Sequence, residues 1–177
     1  MKHKDFEYSG TDYDLTHLHP FDWRYEHAPK EGQPQTYKCT VVFSSHCFTR
    51  DRRDGENHSA DLVYPDDLGR LFDVGRYELS KQLPDIIRSL GDRICWHTHH
   101  GNFFTVELVG ENGKKEEYEV YFTVSRFASR KGWLNVQIQS AYIRDENYTT
   151  SQPKKRKIGF NVIARNVQQK KTIKPPS

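Results

Sequence analysis

No apolar run in the 177 residues approaches the roughly 20 that a bilayer-spanning helix needs. The opening stretch MKHKDFEYSG has no apolar signal core, so a cytoplasmic protein is expected, with no membrane partner. Cysteine is scarce and odd in number. Cys39, Cys47 and Cys95 stand in no framework spacing, which argues against a disulfide scaffold and for reduced, buried thiols. The Rossmann and Walker glycine motifs, the G-x-S-x-G elbow and the HExxH pair are all missing. No cofactor is therefore expected. Apolar residues make up only 34% of the chain, but aromatics reach 13%, and each buries a large area. The core expected is small and rich in Phe, Tyr and Trp. From Ser151 onward there is no Asp or Glu, against eight Lys and Arg. The net charge of +3 thus divides into +8 there and −5 over the rest. Such segregation points to an acidic partner, nucleic acid first, or to a solvated tail.

What is present reads as strands around one helix. Tyr118, Val120, Phe122 and Val124 alternate with polar residues, as do Leu134, Val136 and Ile138, so both segments are half-buried strands. The basic connector FASRKGW, with Gly132, makes them a hairpin over Tyr118 to Asp145. Further strands are read at Phe21 to Tyr25, Tyr37 to Ser45, Ile94 to His100, Phe103 to Val109 and Lys157 to Arg165, with an Asn-Gly turn over Glu111 to Lys114. Asp73 to Leu90 is the one clear helix. Leu79, Leu83, Ile86, Ile87 and Leu90 form its apolar stripe, Asp73 caps it, and Gly91 ends it. Pro84 must kink it or divide it in two. The expected class is α+β: an antiparallel sheet of four to six strands with the main helix, about 73–90, packed on one face. A polar, aromatic segment (1–34) precedes a single domain (35–166), and a basic tail (167–177) follows.

The candidate site lies where the second strand of the hairpin turns polar. If no bulge intervenes, Ser140, Tyr142 and Arg144 continue the face of Leu134, Val136 and Ile138. His46 and Arg50 follow the exit of the Tyr37–Ser45 strand, and His97 lies in ICWHTHH, so all three are expected to converge there. His, Arg, Ser, Tyr and Lys suit metal-independent RNA cleavage. In that chemistry the ribose 2′-OH attacks the phosphorus while side chains move protons and cations steady the phosphoryl oxygens. His46 or His97 would be base or acid, Arg50, Arg126 and Arg144 would stabilise charge, and Tyr142 would donate a proton or stack. Arg126, Arg130, Lys131, Lys154, Lys155, Arg156 and Lys157 are the candidate nucleic-acid contacts. C-x-H-x-H over Cys95 to His99 could form half of a zinc site, with His46 or Cys47 completing it, but the spacing matches no recurrent zinc signature and no metal is expected.

The layout of a helical portion before a four-stranded antiparallel sheet, with reactive residues on the last strands, resembles the barnase–EndoU–colicin–RelE superfamily of small ribonuclease toxins. NVQIQSAYIRD resembles the penultimate-strand motif of its phage-borne members. The segments HCFT, FDVGRYELSKQLP, GNFFTVE and SAYIRD together resemble short enterobacterial and prophage proteins called stationary-phase growth adaptation proteins. The toxin resemblance implies an endoribonuclease with RNA as substrate and an antitoxin protein as partner. The alternatives are a non-catalytic module that binds nucleic acid or protein, and a zinc-supported domain.

Overall fold

The computed structural model describes residues 2–98, 103–109, 115–143 and 156–173, with side chains described outside 103–109 and 115–117. The chain opens with a small hairpin, β1 (Phe6–Tyr8) and β2 (Thr11–Tyr13). Then come β3 (Phe21–His27) and β4 (Gln35–Phe43), followed by the short antiparallel pair β5 (Thr49–Asp51) and β6 (Arg70–Phe72). Two helices follow, α1 (Val74–Ser80) and α2 (Leu83–Arg88). β7 (Cys95–His97), β8 (Phe103–Val109), β9 (Lys115–Arg126) and β10 (Trp133–Ile143) form the meander. β11 (Arg156–Ile158) and α3 (Phe160–Gln168) complete the described chain.

The α+β class holds, with the main helical segment where the stripe placed it. The principal sheet is wider than expected, with seven strands in the order β11-β7-β8-β9-β10-β4-β3. Its neighbours are antiparallel except β4 and β10, which run parallel, from Lys38 beside Trp133 to Phe43 beside Ile138. Parallel neighbours need a long crossover, and the residues between β4 and β10 supply one through α1, α2 and the meander. The expected edge strand at Phe21 is β3.

Pro84 divides the helix rather than kinking it. It occupies the first turn of α2, where its missing N–H would have had no partner anyway. The Asp73 side chain accepts from the Arg76 amide at 2.8 Å and caps α1. Gly91 lies beyond α2 against the Tyr25 ring, and a Cβ there would stand 2.4 Å from it, so only glycine fits.

One expectation fails at the C-terminal end. Lys157 to Arg165 is not a strand: β11 stops at Ile158 and Phe160 begins α3. Phe160, Val162 and Ala164 do alternate, but Phe160, Ile163 and Ala164 also mark one helical face, and those are the three buried residues. In a strand Ile163 would point away from the face of Phe160, Val162 and Ala164, and the helix buries it beside Phe160 and Ala164 instead. The Phe160 ring lies 5.2 Å from Trp23, 5.1 Å from Tyr25 and 6.4 Å from Phe122, so α3 docks on the sheet. The same core draws Phe6, Leu15, Leu18, Trp23 and Tyr25 from the N-terminal segment. Among the described residues, no helix is long and apolar enough to cross a membrane.

Candidate functional site

A bulge does intervene in β10. Ile138 pairs with Phe122 but Ser140 pairs with Tyr121, which leaves Gln139 as an extra residue. Because side chains alternate, one extra residue moves everything after it to the other face. Ala141 and Ile143 now join Val120 and Tyr118, and Ser140 and Tyr142 join Tyr121 and Glu119. The expected continuous row from Leu134 to Tyr142 is therefore broken. The register runs from His97 through Phe103 to Phe122 and Ile138, so His97 takes the face opposite to Tyr142. His97 is buried, with 4% exposure.

Tyr142 stands instead beside three groups that sequence reasoning did not select. Its ring stacks on Tyr121, with centroids 5.8 Å apart and planes 23° off parallel. The Tyr121 hydroxyl donates to Glu119 Oε2 at 2.8 Å, and Glu119 is fully buried. Burial, and then the bond to Glu119, hold the Tyr121 phenol well above its ordinary range. The Arg76 guanidinium lies 5.1 Å from the centre of the Tyr142 ring, at cation–π distance. Arg76 also donates to the backbone carbonyls of Thr49 at 2.7 Å and His46 at 3.3 Å. It thereby joins the end of β10 to the turn that follows β4. Glu119 had a visible signal, as a carboxylate inside a strand of buried alternating residues. Arg76 had none, because the carbonyls and the ring it meets are distant in sequence.

His46 sits on that turn with its side chain 44% exposed and Nε2 3.9 Å from Asp67 Oδ2. The turn is fixed by the Ser44 hydroxyl, which accepts from the His46 amide, and by Ser45, which donates to Asp67 at 2.8 Å. Partial burial lowers the His46 pKa; the Arg70 charge adds to this and Asp67 opposes it. The imidazole is thus neutral at pH 7 and able to accept a proton. Arg50 is held by both Glu56 oxygens and lies 3.5 Å from Asp73, and Glu56 raises its pKa further. Its charge is committed to these two carboxylates. Arg144, Lys154, Lys155 and His99 lie outside the described residues, as does the Asn-Gly turn. Cys39, Cys47 and Cys95 are each buried, and desolvation pushes each thiol up to about 12. Among the described residues, no three His, Cys, Asp or Glu side chains gather as metal ligands.

The basic contacts divide as well. Arg156 and Lys157 lie exposed on β11, with Lys157 Nζ 5.7 Å from the Trp96 ring centre. At the tip of the β9–β10 hairpin, Arg126, Phe127, Lys131 and Trp133 line a groove of about 450 Å3, with Gln168 of α3 on its wall. Gly132 turns the chain there with φ +78°, a conformation that glycine adopts without strain. Arg130, also an expected contact, is held by neighbouring groups. It forms a bidentate pair with Asp22 at 2.7 and 3.0 Å, donates to Thr40 Oγ1 at 3.0 Å, and lies 3.3 Å from the Trp133 ring centre. The clamp on Asp22 presses the guanidinium against one face of Trp133 and fixes the indole. Arg126 and Lys131 are exposed and make no ion pair among the described residues.

Comparison with known proteins comes down to two findings. The sequence model of the YjaZ family matches residues 5–168. The chain is similar to Protein YjaZ of Escherichia coli (strain K12), 27% identical over 167 residues, which cover 93% of this chain and 89% of that protein. No solved structure matches.

Proposed function

The chain belongs to the YjaZ family, and we propose that it binds single-stranded nucleic acid, RNA first, on the β9–β10 hairpin. One observation carries the reading: a groove that combines exposed cations with an aromatic ring held rigid from behind. Nonspecific single-strand binding needs those two parts, charge to follow the backbone and a flat ring to stack a base. Trp133, pinned by Arg130, stacks. Arg126 and Lys131 meet phosphates. The basic run after Ser151 adds long-range attraction.

The test is the salt dependence of binding to an unstructured RNA oligonucleotide. Each phosphate contact contributes about 0.7 to the slope of log K against log salt for single strands. Arg126→Gln with Lys131→Gln therefore lowers the slope by about 1.4. An unchanged slope places the contacts elsewhere. A second reading, metal-independent RNA cleavage, is favoured by the Arg76 bridge between the His46 turn and the Tyr142 ring. In that reading His46 takes the 2′-OH proton, Arg76 steadies the phosphoryl oxygens, and Tyr142 supports the leaving group. Incubating the same oligonucleotide with the protein in excess chelator decides it. Intact RNA counts against cleavage, and products lost in His46→Ala support it.

A further inference from the structure

A separate cavity of about 170 Å3 lies between the β3–β4 connection and α3. Glu31 lines it from the connection, Gln35 from the start of β4 and His27 from the end of β3, while Asn161 and Arg165 line it from α3. Asn161 and Arg165 are four residues apart, so they share one helical face. The charges are unusual. Arg165 and Glu31 carry opposite signs and line the same small space, yet among the described residues they pair neither with each other nor with another ion. The neutral groups are partly committed. Tyr37 donates to Gln35 Oε1 at 2.5 Å, so the Gln35 amide keeps its N–H donors. The Asn161 amide nitrogen donates to His27 Nε2 at 3.1 Å, so Asn161 keeps its carbonyl oxygen.

We propose that this cavity binds a small zwitterion, of the chemical class of a free α-amino acid. The carboxylate pairs with Arg165 and is met by the Gln35 amide. The ammonium pairs with Glu31 and is met by the Asn161 carbonyl. Size agrees: the space is large enough to admit a small amino acid. Charge selects between ligand types. A simple anion meets repulsion from Glu31, and a simple cation meets it from Arg165, so only a ligand bearing both charges satisfies both walls. The site is independent of the hairpin groove and of the nucleic-acid reading.

The test titrates the full chain with glycine and with L-alanine while following the amide resonances of Gly32 and Asn161. Acetate and methylammonium serve as the half-ligands. The expected result is saturable shifts with both amino acids and binding about tenfold weaker or worse with each half-ligand. Glu31→Gln and Arg165→Gln should each weaken glycine binding about tenfold or more, because each removes a charge-assisted bond. Both positions are exposed, so the variants should fold, and thermal unfolding checks this. Acetate binding as well as glycine, or Glu31→Gln binding like the parent, overturns the zwitterion and leaves an anion site. No saturable shift with either amino acid overturns the site altogether. Trp133→Ala should leave glycine binding unchanged, so a failure here and a failure of the hairpin reading are told apart.

Discussion

Replacing Phe160 with alanine probes how the C-terminal helix is held. Phe160 is 1% exposed and its ring contacts those of Trp23, Tyr25 and Phe122 at 5.2, 5.1 and 6.4 Å. Truncating a buried Phe to Ala costs about 3–5 kcal/mol, the lost transfer of the ring plus the cavity left behind. The upper half of that range applies, since three aromatic neighbours cannot collapse into the space without breaking their own contacts. Typical domains have about 5–15 kcal/mol in all, so the loss is a large share. The consequence is local as well as global. α3 has nine residues, below the roughly 12–15 at which an isolated helix is even marginal in water, so it persists only while docked. Undocking it also withdraws Gln168 from the hairpin groove and Asn161 and Arg165 from the small cavity. Urea unfolding of Phe160→Ala should show about 4–5 kcal/mol lower stability with an unchanged m-value. Hydrogen exchange should accelerate at Ile163, Ala164 and Val167. Phe160→Leu should recover most of the loss. A stability change under about 1 kcal/mol, with α3 amides still protected, refutes the docking argument.

Other consequences follow from the buried groups. Burial lowers the pKa of His3, His17 and His46 in the folded chain, so the unfolded chain binds more protons over the window just below the ordinary histidine value. Stability is then complete above about pH 6.5 and falls as pH drops through that window. Urea midpoints between pH 5 and 8 check this, and His3→Gln should flatten the slope; a rise in stability on acidification contradicts it. All three thiols are buried with pKa values of about 12. A thiol reagent should therefore label none in the native protein and three in urea. Rapid native labelling of any of them contradicts the packing.

The sequence disclosed the elements whose signal is local. Alternation located the strands of the hairpin, the stripe from Leu79 to Leu90 located the helix, and Pro84 marked where it had to kink or divide. α3 was misread because Phe160, Val162 and Ala164 satisfy period two, while Ile163, the residue that settles the matter, is decided by what lies across from it. The bulge at Gln139 was invisible for a similar reason. Nothing in QIQSAY marks an extra residue, and only the pairing with β9 reveals it. That single insertion separated Tyr142 from His97 and joined it to Tyr121 and Glu119. The parallel pairing of β4 with β10 depends on a crossover of about ninety residues, beyond the reach of pattern reading. The hairpin cations were legible from the basic connector, but the division of labour among them was not. Arg130 is distinguished from Arg126 and Lys131 by its partners, chief among them Asp22, which is 108 residues away in sequence.

The central claim is that Trp133, backed by Arg130, stacks a nucleobase. Its most direct measurement compares the affinity of the parent chain and Trp133→Ala for one unstructured RNA oligonucleotide across a range of salt. Stacking on an aromatic ring contributes about 1–3 kcal/mol per base, so the substitution should weaken binding about 5- to 150-fold at every salt concentration. The salt slope should stay the same, since no phosphate contact is lost. Equal affinity of the two proteins, or no binding by the parent, contradicts the account.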